Sequence, residues 1–127
     1  MSLMKKWLLQ EKDFIRSQKF DLKINNKILT MVKHVVMFQF NGTEEEKKKV
    51  AREFAEALVQ LPDDIPQLKS IEVGININSS EDWDLVLTAS ADSMEDVAIY
   101  SAHPAHQAAV AIIAPYKKAR ACVDYII

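Results

Sequence analysis

The chain has 127 residues, 49% of them hydrophobic, with 16 Lys and Arg against 18 Asp and Glu and a net charge of −2. That is enough apolar material for one domain with a real core, and it lacks the concentrated positive charge that binding to nucleic acid or an anionic membrane surface requires. A single cysteine, Cys122, excludes a disulfide framework and reads as a small apolar residue of a cytoplasmic protein, and no run approaches the ~20 apolar residues that cross a bilayer.

Residues 1–30 form an N-terminal extension that differs in character from the rest of the chain. Met4, Trp7, Leu8 and Ile15 share one side of a helix over roughly residues 4–17. Phe20, Leu22 and Ile24 alternate and Asn25-Asn26 can turn the chain, which predicts an arm or short hairpin over 19–30. Met1-Ser2-Leu3 reads as appended residues, and Met31 is itself placed to serve as a start. The apolar stretch after Lys5-Lys6 is too short for a signal peptide.

From residue 31 to 127 the pattern is that of one compact domain. Val32 to Phe40 is β-branched and aromatic and predicts a strand, with His34, Val36, Phe38 and Phe40 on one face. Asn41-Gly42 ends it. Thr43 and Glu46 have the spacing of a capping box, and Val50, Phe54, Leu58 and Leu61 form the apolar stripe of the helix it opens, which Pro62 and Pro66 stop. Glu44-Glu45-Glu46 before Lys47-Lys48-Lys49 gives opposite-charge pairs at helical spacing on a solvated face.

Leu68 to Ile77 alternates, with Ile71, Val73, Ile75 and Ile77 on its apolar face, and Trp83 to Ala91 predicts a third strand. Ser93 caps a short helix over 94–101, and Pro104 opens another at its favoured first position. Residues 105–113 are apolar nearly all round, which predicts a helix buried on more than one face. Pro115 ends it, and Arg120 to Ile127 is a last strand.

The order β-α-β-β-α-α-β, with right-handed crossovers, gives an α+β, ferredoxin-like sandwich: a four-stranded antiparallel sheet with helices on one face. The uncovered face is expected to show Val35, Met37, Val86 and Ile126, and so to need a second copy of the chain over it.

Two of the three histidines stand at the start of the last helix, in Ser101-Ala-His-Pro-Ala-His106. With Pro104 first in the helix, His103 is the cap residue and His106 the third. Unpaired amides and the positive end of the helix dipole disfavour an imidazolium there, so a neutral histidine in this turn is a competent base. Tyr100 can supply a phenolic donor, and His34 at the start of the first strand can join them as a second donor. Phe38, Phe54, Leu58 and Leu85, with His103 at the edge, are the expected lining of a pocket for a small apolar or aromatic carbonyl compound. The plainer reading makes His103 a capping side chain and His34 and His106 hydrogen-bonded histidines tying helix to strand. His-x-x-His can also place two imidazoles on a metal ion, but Pro104 holds His103 outside the helix and the motif has no carboxylate, so no metal and no cofactor are expected.

VKHVVMFQF (32–40), LKSIEVGININ (68–78), MEDVAIYSAHPAHQAAV (94–110) and CVDYI (122–126) together resemble the stress-responsive A/B barrel (Dabb) family over about residues 31 to 127, and all three histidines fall on its motif positions. The resemblance implies a ferredoxin-like fold that dimerises through its sheets into a shared β-barrel. One plant member, olivetolic acid cyclase, closes a polyketide by an aldol-type condensation. The tyrosine and histidine it uses around this motif match Tyr100 and His106, and its first-strand histidine matches His34. Leu58 and Leu85 stand where that enzyme has a tyrosine and a histidine. The chain thus has three functional readings: cofactor-free acid/base chemistry on a carbonyl compound, a non-catalytic dimeric stress-related module, and, by fold analogy alone, a cofactor-free monooxygenase.

Overall fold

In the computed structural model, which describes residues 31–127, the alternation of residues 32–40 becomes β1, Val32–Phe40, with every second residue buried. Asn41-Gly42 turns the chain away, and Gly42 takes φ 128°, a conformation that side chains strain to reach. The helix α1 comes next, Glu44–Val59. Its capping box is complete: the Thr43 hydroxyl accepts from the Glu46 amide at 3.2 Å, and the Glu46 carboxylate accepts from the Thr43 amide at 3.1 Å. The helix expected over 4–17 and the arm over 19–30 lie outside the described residues.

Pro62 does not stop the helical run as expected. The chain breaks at Gln60 and restarts in a single turn, α2, Leu61–Asp64, in which proline takes the first-turn position that needs no amide. Then come β2, Ser70–Ile75; β3, Leu85–Ala91; α3, Met94–Ala102; α4, Pro104–Ile113; and β4, Lys117–Ile126. The sheet order is β2-β3-β1-β4 and every pair is antiparallel, so the fold is α+β and ferredoxin-like. None of the helices among the described residues is long and apolar enough to cross a membrane.

The strand ends differ from the sequence reading for local reasons. β2 stops at Ile75, because Asn76 donates from its side chain to the Trp83 carbonyl and accepts from the Asn78 amide, and the resulting turn carries Ile77 out to 99% exposure. β3 starts two residues later than expected, where the Asp84 carboxylate accepts from the Phe40 amide at 2.7 Å in place of a main-chain rung. β4 starts three residues earlier, at Lys117, because a bulge at Gln39/Phe40 extends its pairing with β1.

Register assigns the two faces. Val36, Phe38 and Phe40 of β1, with Leu85, Leu87 and Ala89 of β3, meet Val50, Phe54 and Leu58 of α1 to form the core. Phe38 and Phe54 pack edge to face with centroids 5.4 Å apart. The open face carries Val35, Met37 and Val86 as expected, but not Ile126. Ile126 pairs with Val32 and so shares the helix-facing side; Val123 and Tyr125 take the open face in β4, 63% and 46% exposed. The helix α4 also differs from expectation. It buries Ala109 and Ile113 on one face, with Ala105 and Ile112 half-buried against the core beside them, and leaves Ala108 and Ala111 outside.

Candidate functional site

The α3–α4 junction turns on one residue. A residue before proline is pushed out of helical conformation, and His103 sits at φ −63°, ψ 137°, ending α3 and beginning α4. Its amide donates to the Tyr100 carbonyl at 3.2 Å, its carbonyl accepts from the Gln107 amide at 3.0 Å, and its Nδ1 accepts from the Ala105 amide at 3.0 Å. His103 is thus consumed in building the turn and does not line the cavity expected of it.

The turn folds the end of α3 against the first turn of α4 and brings Tyr100 against His106, with ring centroids 4.5 Å apart and the rings tilted at 58°. His106 Nδ1 lies 2.8 Å from the Ser101 carbonyl, which also accepts from the Gln107 side chain at 2.7 Å. A carbonyl only accepts, so Nδ1 carries the proton and Nε2 keeps its lone pair. Burial is the main cause that holds His106 below its ordinary pKa; His34 and Arg120 push the same way, and the Ser101 carbonyl opposes them.

His34 faces the helices from β1, edge-on to Tyr100 with centroids 6.1 Å apart. Its register neighbour on β4 is Asp124, and Nδ1 meets the Asp124 carboxylate at 2.5 Å. The carboxylate accepts, so Nδ1 carries the proton. Nε2 is left free of this contact, an acceptor in the neutral ring and the expected donor in the protonated one. Tyr100 is 1% exposed, and its hydroxyl is a buried polar atom without a hydrogen-bond partner among the described residues. Desolvation pushes its pKa up to about 12, against the pull of Arg120, so the phenol stays protonated.

These side chains border one cavity of about 140 Å³ between the sheet and α1, α3 and α4. Its inner wall is apolar, built from Val36, Phe38, Phe54 and Leu87; His34, Tyr100 and His106 form its polar side; Gln107, Lys117 and Arg120 are the exposed rim. Of the expected lining, Phe38 and Phe54 are there, and Leu58 and Leu85 are not. Leu58 lies a full turn past Phe54 and is sealed in the core. Leu85 flanks Phe38 on the β3 side, away from β4, and borders a different groove. That groove, about 370 Å³ near Met37, Gly74, Trp83 and Val86, has Glu81 as its one ionisable side chain. The chemistry-bearing groups converge on the smaller cavity.

The sequence reading missed Asp124, Arg120, Lys117 and Gln107. The first two had a signal: Arg120, Cys122 and Asp124 alternate, so one strand face carries all three polar groups. Cys122 lies 3.6 Å from His34 Nδ1 and 3.7 Å from Asp124 Oδ2, and burial and the Asp124 carboxylate hold its thiol above the usual range. His34, Cys122 and Asp124 bring metal-ligand atoms within 4.8 Å of one another. The 2.5 Å contact between His34 and Asp124 is a hydrogen bond, though, and two ligands of one tetrahedral ion stand about 3.3 Å apart.

The family model described as the Stress Responsive A/B Barrel Domain matches residues 32–127. Among solved structures the chain is similar to a dimeric protein of unknown function and ferredoxin-like fold from Bacteroides fragilis, at 43% identity over 76% of this chain and 96% of that one, TM-score 0.75. It is similar also to a dimeric ferredoxin-like protein of unknown function from Thermobifida fusca, at 30% identity over 77% and 92%, TM-score 0.63. A hydroxynitrile lyase from Passiflora edulis, 13% identical over 76% and 93% with TM-score 0.58, shares the fold alone. No curated protein matches the sequence.

Proposed function

The chain belongs to the stress responsive A/B barrel domain family, and from that premise we propose that it binds a small carbonyl compound and moves a proton on it without a cofactor. The observation that carries this reading is a protonated phenol with no partner among the described residues, Tyr100, whose ring lies against a histidine held in the tautomer of a base. Buried hydroxyls are ordinarily hydrogen-bonded, and one left unpaired beside a cavity suits a ligand oxygen.

In this reading His106 Nε2 takes a proton from the carbon next to the carbonyl. The C–H electron pair becomes the enolate double bond, and the carbonyl oxygen takes up the charge. Ligand entry turns the Tyr100 hydroxyl toward that oxygen, where it donates a hydrogen bond as charge develops. Return of the proton from His106 to a different carbon of the enolate system completes an isomerisation; attack of the enolate carbon on a second carbonyl, whose π electrons move to its oxygen and take up the proton from His106, completes a cyclisation. A cavity of about 140 Å³ limits the enclosed part of the ligand to roughly one ring, since a 150 Å³ apolar cavity admits benzene. The Passiflora neighbour, an enzyme by its name, is a fold-level parallel only.

The test is exchange of carbon-bound hydrogen for deuterium next to the carbonyl of a one-ring ketone, followed by NMR in heavy water. The wild type should accelerate exchange, and His106→Ala should reduce the acceleration by at least about a hundredfold. Equal exchange by both proteins refutes the reading.

The family neighbours described as dimeric, together with exposed Val86, Val123 and Tyr125, support self-association through the open sheet face. The cavity lies on the opposite side of the sheet, so pairing of this kind leaves its rim open.

A further inference from the structure

The charged side chains that line the cavity are of one sign. Of the side chains that line it, Lys117 and Arg120 are cationic and none is acidic. Asp124, two residues past Cys122 on the same strand face, is engaged with His34. The ion pairs that lysine and arginine make among the described residues are Glu44–Lys47 and Lys69–Asp92; none involves Lys117 or Arg120. This local excess of positive charge stands on a chain whose net charge is −2. Arg120 is also close to the reacting groups: its guanidinium lowers the pKa of both Tyr100 and His106 and interacts with the Cys122 thiol.

The lining is thus ordered from inside to outside: apolar wall, neutral acid/base pair, cationic rim. A ligand that satisfies all three has a small hydrocarbon part, a carbonyl, and an anionic group at the end that stays near water. We propose that the site selects carboxylate-bearing carbonyl compounds, oxo acids with at most one ring, and that Arg120 is the residue that takes the carboxylate. The planar guanidinium can meet both carboxylate oxygens at once, which a lysine cannot, so Lys117 adds attraction and Arg120 adds orientation. With the carboxylate fixed at the rim, the carbonyl and its neighbouring carbon are directed inward to Tyr100 and His106.

This inference rests on the function proposed above and is tested so that the two fail differently. The probes are phenylpyruvate and phenylacetone, which share ring and ketone and differ by a carboxylate in place of a methyl group. Binding is measured by titration calorimetry for the wild type, Arg120→Gln, Lys117→Gln and His106→Ala, with thermal unfolding as the check on folding. The wild type should bind phenylpyruvate at least about tenfold more tightly than phenylacetone. Arg120→Gln should bring the two within about threefold by weakening phenylpyruvate alone, and added salt should do the same. Equal wild-type affinity for both probes overturns the anion selectivity and leaves the pocket reading standing. A preference for phenylpyruvate that survives both Arg120→Gln and Lys117→Gln overturns the assignment to the rim. Binding of neither probe by any of the proteins removes the pocket reading and this inference together.

Discussion

Replacing Tyr100 by Phe removes one oxygen and nothing else. The ring is 1% exposed and packed between His34 and His106, and Phe fills the same space. The oxygen has no hydrogen-bond partner among the described residues, so the native state carries the desolvation of a hydroxyl with no compensating bond. Mutational data put such an uncompensated group at about 1–3 kcal/mol. Tyr100→Phe should therefore stabilise the protein by roughly 1 kcal/mol, the low end of that range, since some of the strain relaxes in solution. For a domain of this size that is a rise in Tm of about 4–8 °C by scanning calorimetry. The same variant should lose most of the proton-exchange activity, because the donor to the ligand oxygen is gone. A substitution that raises stability and lowers activity marks a functional group held at a cost to the fold. A fall in Tm on Tyr100→Phe would refute the reasoning, since it would mean that the hydroxyl is bonded within the native protein.

His106 supplies a pH dependence of known sign. Its folded pKa lies below the ordinary histidine value, so the unfolded chain binds the proton more readily; stability is fully present above about pH 6.5 and falls as pH drops toward the folded pKa. Urea unfolding of the wild type and His106→Gln across that window should show a steeper loss on acidification in the wild type. Asp124→Ala leaves the Nδ1–H of a buried histidine without its carboxylate and should cost about 1–3 kcal/mol in urea unfolding, whereas Asp124→Asn, which keeps an acceptor, should cost less. On the open face, Val123→Lys places a charge within the proposed contact and should shift sedimentation from dimer to monomer while the far-ultraviolet dichroism stays unchanged.

What could be read from sequence were features encoded within a few residues. The Thr43–Glu46 box, the alternation of β1 and the placing of Pro104 each specify local conformation, and each appears in the structure as expected. His103 as a cap stems from Pro104 alone. The site needed more than that. His34 and Asp124 stand 90 residues apart and meet only because β1 and β4 pair in one register. The alternation of Arg120, Cys122 and Asp124 marks one face of β4 but not which layer that face meets, which only its pairing with β1 decides, and so Ile126 was given the wrong side and Arg120 no role. Leu58 and Leu85 were placed in the pocket by hydrophobicity, which marks burial equally for a core and for a cavity wall. The all-round apolar look of residues 105–113 came from alanines, small enough to lie outside at little cost.

The Ser101 carbonyl that fixes His106 belongs to the main chain. Where an aspartate sets a histidine's tautomer, one codon change can erase the setting. Here every residue at position 101 except one that unwinds the helix supplies the same oxygen. The proton on Nδ1 is therefore inherited with the shape of the turn, and the side chains around the cavity are free to vary, in nature or in the laboratory, without disarming the base. A redesign of the rim for other ligands can start from this junction and leave it untouched.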